Sequence, residues 1–311
     1  MRFVHTQFRE FEDYEAGVQD ADVQFTLPAR IDNRWSLSEL YVDGYHLQIG
    51  SEGSGNIAKG AAHDGTLIVF FTLDGSRTIV NGEELGNRLS LISPGADFSI
   101  SYKSSHDWAS LAIPLHHETD RIRRARTNHV ASNTLQSLRN FAARIDEMAR
   151  AELSSNRSPN LQVEIVKFLD SIRNELVWKS AAEADINSDH SRSRSEVIDK
   201  AVSLIENSST AFPSVHDVAQ LSDVSERTLR TYFQQYFGVS PRKYIELRRL
   251  HLAKRILEQG EEHEFTVGQI AGHVGYWDFG RFASRYHKLF GEFPSVTLRR
   301  VRNREVSTFL E

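Results

Sequence analysis

The 311-residue chain has no cysteine, only two methionines and only seven prolines. Without cysteine there can be no disulfide, thiolate metal site or cysteine nucleophile, which fits a reducing compartment. No stretch approaches the roughly 18 apolar residues of a membrane span, and the opening MRFVHTQFREFEDYE lacks a signal peptide's apolar core. A cytoplasmic location with no membrane partner is therefore expected. Walker-type glycine-rich loops and a G-x-S-x-G elbow are also missing. Metal-oxygenase chemistry wants clustered histidines and a carboxylate, usually signalled by His-x-His, but His46, His63 and His106 are isolated. His116 and His117 are adjacent, so on a strand they would face opposite ways. These absences argue against an enzyme: no catalytic residue, metal or cofactor is expected.

What remains is ordinary globular composition, 40% hydrophobic and 25% charged, long enough for two cores. The formal net charge is −5. It is unevenly spread: residues 195–311 carry one more basic than acidic residue, and the acidic excess lies before them. Any affinity for phosphate must therefore come from where the charges sit.

Residues 1–32 show no sustained period and suggest loop and short strand. From about 35 to 114 short alternating runs take over, among them Leu40, Val42, Tyr45, Leu47 and Ile49 around the hairpin pair Asp43-Gly44. Further runs follow between Asp64-Gly65, Asp74-Gly75, Asn81-Gly82 and Pro94-Gly95, predicting an all-β sandwich or small barrel. From about 118 to 180 the period becomes helical. Leu135, Leu138, Ala142, Ile145 and Ala149 form one stripe, and Ile165, Phe168, Leu169, Ile172 and Leu176 another. Such stripes either pack onto the β domain or form a homodimer seam. The run DINSDHSRSRS, residues 185–195, has one apolar residue and suggests a linker. The expected domains are thus 1–184 and 196–301.

The second domain contains an internal repeat. In Thr266 to Arg300, Val267, Ile270, Ala271 and Val274 recur at helical spacing, stop at Gly275, and resume at Phe282, Tyr286, Leu289 and Phe290 before Gly291 and Pro294. Ser214, Val218, Ala219, Leu229, Phe233, Phe237, Gly238 and Pro241 repeat this pattern, with offsets of 52 before the turn and 53 after it. Each copy, about 214–237 and 266–290, is a helix-turn-helix, and the second has one extra turn residue. A helix from Pro241 to Leu257 joins them. Tyr244, Ile245, Leu252 and Ile256 are expected inside, with Arg248, Arg249, Lys254 and Arg255 outside, some of them toward phosphate.

At about 100° per residue, Phe233, Tyr236 and Phe237 share the side of Leu229, while Arg227, Thr231 and Gln234 point away, flanked by Arg230. Arginine, glutamine and threonine are residues with which an α-helix can read base edges in the major groove. Arg227, Arg230 and Thr231 are candidates for bases, and Gln234 for base or phosphate. In the second copy Phe282 marks the core side and Ser284 lies opposite. Trp277 and Tyr276 are expected in core or inter-helix packing.

Over residues 197–300, including the closing run Tyr286-His287-Lys288-Leu289-Phe290-Gly291-Glu292-Phe293-Pro294-Ser295, the chain resembles the AraC/XylS family of bacterial transcription regulators. The resemblance implies an α+β multidomain protein: an N-terminal cupin-like barrel with helices that senses a small molecule, and a C-terminal all-α domain with two helix-turn-helix motifs. It implies double-stranded DNA as partner, a homodimer, contact with RNA polymerase, and activation as the commoner output. It places base reading in the second copy at Phe279, Gly280, Arg281 and Ser284. Because Gly280 and Ser284 are smaller than is usual there, either Arg281 carries specificity, or that helix mainly grips phosphate through Arg285 and Lys288. Trp35, Tyr45, Phe70 and Trp108 are candidates to line the effector cavity. Two alternatives stay open, a metal-dependent cupin-type enzyme fused to a DNA-binding module and a DNA-binding protein with no effector.

Overall fold

The computed structural model describes residues 1–29, 34–115, 127–130, 133–151, 159–182, 189–207, 212–258 and 265–308; His116 and His117 lie outside the described residues. Two compact units result, Met1–Phe25 with Asp32–Asp189, and Thr26–Ile31 with His190–Glu311. Thr26 and Leu27, expected with the first domain, thus group with the second.

The first unit is built on two antiparallel sheets. Its strands are β1 (Arg2–Phe8), β2 (Ala21–Thr26), β3 (Trp35–Val42), β4 (Tyr45–Glu52), β5 (Asn56–Ala62) and β6 (Thr66–Thr72). They continue with β7 (Ile79–Val80), β8 (Glu83–Glu84), β9 (Leu89–Ile92), β10 (Asp97–Tyr102), β11 (His106–Pro114) and β12 (Thr127–Val130). One sheet has the order β1-β3-β4-β11-β6-β9-β12 and the other β2-β5-β10-β7-β8. Residues Asp43 and Gly44 both take positive φ, 48° and 81°, so the β3–β4 turn has the twist that a two-residue hairpin needs. Asn81 and Gly82 repeat this between β7 and β8.

The opening segment, expected as loop and short strand, is more regular: β1 pairs along its length with β3, and helix α1 (Phe11–Gly17) buries Phe11 and Tyr14. Its weak alternation follows from its place at a sheet edge, where β1 is only partly covered.

The strand period of two divides the seven-stranded sheet into two apolar faces. Leu40, Leu47, Val69, Phe71 and Leu111 pack against helices α2 (Leu135–Arg150) and α3 (Pro159–Ala182), which supply Leu138, Ala142, Ile145, Leu169 and Ile172. Packing onto the β domain, one of the two fates expected for those helical stripes, is therefore what they do. Phe141 and Phe168 close the contact between the two helices, their ring centroids 4.8 Å apart. The alternate residues Ile68, Phe70 and Trp108 face inward, toward Ala58, Phe98 and Ile100 of the second sheet.

The second unit is helical: α4 (Asp189–Glu206), α5 (Val215–Leu221), α6 (Glu226–Phe237), α7 (Pro241–Glu258), α8 (Val267–His273), α9 (Phe279–Phe290) and α10 (Pro294–Thr308). Residues 189–195, expected within the linker, form the start of α4. Helix α7 joins both motifs. Tyr244 meets Phe233 and Phe237 of the first at 5.4 and 4.9 Å, while Leu247, Leu250, Ala253 and Leu257 share a core with Ile270, Ala271, Phe282 and Tyr286 of the second. Serving two motifs leaves α7 little exposed surface, which corrects the expected outer basic face. Arg248 and Lys254 are buried and ion-paired with Glu206 at 3.6 Å and Glu258 at 3.4 Å, and half-buried Arg249 stacks on Phe212.

Candidate nucleic-acid interface and ligand cavity

The two motifs are the same construction down to single hydrogen bonds. Each first helix opens with a reciprocal capping box, Ser214 with Asp217 and Thr266 with Gln269, satisfying backbone donors that the helix leaves unpaired. Each turn then passes through the left-handed region, at Asp223 with φ 57° and at Gly275 with φ 80°. The next residue bonds back, Val224 N–H to the Ala219 carbonyl at 3.1 Å and Tyr276 N–H to the Ala271 carbonyl at 2.8 Å. Each recognition helix starts on a side-chain cap, Ser225 for α6 and Asp278 for α9, and ends on a left-handed glycine, Gly238 or Gly291.

Val224 adjoins Ser225, whereas one residue separates Tyr276 from Asp278. The extra turn residue is therefore Trp277. Far from packing inside, it is 88% exposed, because the core position in this turn is already filled by Tyr276. Phe279, the first residue of α9, is 54% exposed, and its ring lies 3.8 Å from where a side chain on Gly268 would begin.

The angular assignment of α6 agrees with its burial: Leu229, Phe233, Tyr236 and Phe237 are inside, and Arg227, Arg230, Thr231 and Gln234 are outside. Two of the outer residues are partly engaged. Thr231 donates to the Arg227 carbonyl at 3.1 Å, and Gln234 donates to the Gly238 carbonyl at 2.9 Å, closing the end of its own helix. On α9, Phe279, Gly280, Arg281, Ser284 and Lys288 are exposed while Phe282, Tyr286 and Leu289 are buried. Arg285 differs from its neighbours: it is partly buried and pairs with Glu246 of α7 at 3.5 Å.

A second feature lies between the sheets of the first unit, a cavity of about 50 Å³ lined by Ile68, Phe70, Phe98, Ile100 and Trp108, with Glu52 at its polar end. Phe70 and Trp108 therefore line it. Trp35 instead packs on Phe11 and Tyr14, and Tyr45, on the opposite face of the sheet, donates to Asp170 at 2.6 Å. Sequence inspection missed Glu52. It lies at a polar strand end, on the strand face of Gly50 and alternate to the apolar series Leu47 and Ile49, and only pairing shows that face to be internal: Tyr14 Oη donates to it at 2.8 Å, Trp108 Nε1 at 2.9 Å and Asn56 Nδ2 at 3.2 Å. Tyr102 bonds it too. Burial raises the Glu52 carboxyl above the usual carboxylate range even though these donors oppose the shift. Burial and the nearby Glu52 hold the Tyr14 and Tyr102 phenols protonated, so both remain donors. Trp108 can lie across the neighbouring strand because residue 50, its direct partner there, is glycine.

Residues 218–300 match a family model described as a helix-turn-helix domain. The chain is 34% identical over 102 residues to the XylDLEGF operon transcriptional activator 3 of Pseudomonas putida, covering 33% of this chain and 31% of that protein. It is 32% identical over 100 residues to activator 2 of the same operon, covering 32% and 64%. The match thus spans about a third of the first of these relatives and under two thirds of the second. A solved probable AraC family transcriptional regulator from Rhodopseudomonas palustris is 30% identical, covering 34% of this chain and 96% of that one, with a TM-score of 0.32. With two copies of one capped helix-turn-helix joined by a shared helix, with the family model matching residues 218–300 across both, and with the Pseudomonas activators as relatives, the chain belongs to the AraC/XylS family of DNA-binding transcription regulators.

Proposed function

We propose that the protein is a sequence-specific activator whose grip on double-stranded DNA is controlled by a small molecule held in the N-terminal cavity. The observation that carries the DNA half is the repeated motif, which exposes Arg227, Arg230 and Thr231 on one recognition helix and Arg281 and Ser284 on the other. Two such helices suit successive major-groove segments about one turn, roughly 34 Å, apart. The region from 195 onward is close to neutral, so one chain has a modest phosphate footprint. A homodimer on two half-sites supplies the missing affinity. The Pseudomonas relatives are operon transcriptional activators, and activation is extended to this chain as part of the proposal.

The cavity supports the sensing half. Its walls are mostly apolar, and among the described residues the one carboxyl in its lining is that of Glu52. That chemistry suits a small molecule of a few non-hydrogen atoms with a donor or cationic group, and disfavours carboxylates and phosphates. Among the described residues the lining includes no histidine. His46 is bonded to Asp20 and Glu39, and His106 to Ser76.

Mobility shifts with Arg281→Ala test the DNA reading. The variant loses about 1–3 kcal/mol on the specific duplex and little on random duplex. Equal losses on both would show that Arg281 reads no base. For the cavity, thermal shifts of the full chain with ethylamine, ethanol and acetate should rank the amine or alcohol above the acid; stabilisation by acetate alone contradicts the assigned chemistry.

A further inference from the structure

We infer that the second helix-turn-helix reads thymine through its 5-methyl group, using an apolar edge formed by Trp277 and Phe279. The inference rests on the reading that α9 enters the major groove, and it adds how that helix discriminates. Both side chains are large and exposed, and both stand at the N-terminal end of α9, the end of a recognition helix that meets base edges. The first motif has nothing comparable. Glu226 and Arg227 occupy the positions of Phe279 and Gly280, and no residue corresponds to Trp277. Charged groups in one copy are thus replaced by an aromatic ring and a glycine in the other.

The neighbouring residues leave this edge unobstructed. A side chain on Gly280 would meet nothing nearer than Asp278 Oδ1 at 3.5 Å, so the helix backbone is open at that point, and Ser284 one turn on is small and exposed. The Phe279 ring stands beside α8, 3.8 Å from where a side chain on Gly268 would begin, a space the glycine leaves open. Exposed Arg281, which is paired with Asp278 at 3.8 Å, and exposed Lys288 farther along α9 supply cations on the outer face of this helix for a phosphate-lined groove. Of the four bases, only thymine presents an apolar group in that groove. Duplex DNA is therefore the occupant that fits both the apolar edge and its basic surroundings.

The test uses the full chain and a duplex selected by it from a random-sequence pool. Each thymine is replaced in turn by deoxyuridine, which removes only the methyl group, and binding is followed by fluorescence anisotropy. At one or two positions under the second motif the wild type should lose about fourfold per methyl, the equivalent of one methylene left unburied. Phe279→Ala and Trp277→Ala should bind the thymine duplex more weakly and no longer distinguish uracil there. Since both residues are exposed, thermal unfolding of the variants should be unchanged. Equal wild-type affinity for thymine and uracil at every position would overturn the inference, as would variants that keep the discrimination. If no duplex is enriched, the DNA reading beneath it fails as well, an outcome plainly different from a site that is bound without regard to methyl groups.

Discussion

A methyl group at residue 50 would stand 2.2 Å from Trp108 Cε2 and 2.4 Å from its Nε1. Neither atom belongs to a flexible chain end; both are part of a rigid indole. Gly50→Ala must therefore push the ring aside or part β4 from β11. Overpacking of this kind costs about 1–3 kcal/mol. Displacing the indole also removes its N–H from Glu52, leaving a buried carboxyl short of one donor, a further ~1–3 kcal/mol. A combined loss of about 2–6 kcal/mol corresponds to a fall of roughly 4–24 °C in the melting temperature of a domain this size. Near-ultraviolet circular dichroism and tryptophan fluorescence would follow the transition. The double variant Gly50→Ala with Trp108→Leu should recover part of the loss, because shrinking the ring relieves the clash. An unchanged melting temperature in Gly50→Ala, or strictly additive effects in the double variant, would refute the close-packing argument.

The turns give a matched pair of outcomes. Gly275→Ala should cost about 1 kcal/mol from its positive φ, since the nearest atom to the new methyl is Arg249 Nη1 at an ordinary 3.6 Å, whereas Asp223→Gly should be close to neutral; chemical denaturation compares them. His46 gives a dependence on pH. Burial pulls its pKa down, but hydrogen bonds to Asp20 and Glu39 outweigh this and raise it above 6.5. A raised folded pKa means stability fully present below the unfolded value and lost as pH climbs through the folded one. The stability gap between wild type and His46→Gln should thus be widest below about pH 6.5 and shrink above it; a gap that grows with pH would reverse the assignment.

The helical domain was legible in the sequence because its periodicity and its caps point to the same elements. Ser214, Thr266, Gly238 and Gly291 mark helix ends by chemistry that needs no distant partner. Trp277 was misjudged, since hydrophobicity alone suggests burial and only the offset of the two turns identifies it as the added residue. Arg248 and Lys254 misled for the converse reason. Their charges suggested an outer face, but a helix packed against two motifs has little outer face, and Glu206 and Glu258 offset the burial. In the β domain, Asp43-Gly44 announced its hairpin, and strand parity separates Tyr45 from Phe70 and Trp108 once pairing is known. The site of Glu52 depends on long-range pairing with Tyr14 and Trp108, which no local pattern carries.

Helix α7 has a consequence for the operator. Tyr244 joins it to the first motif, while its leucine-rich core and the Glu246–Arg285 pair tie it to the second. A spine fastened at both ends holds the distance and the rotation between its two readers, as the body of a caliper holds its jaws. One base pair inserted between the two segments they read would turn the second by about a tenth of a full revolution, and the protein has no hinge within this spine to follow it. Promoters served by this regulator should therefore tolerate changes in letter more readily than changes in spacing.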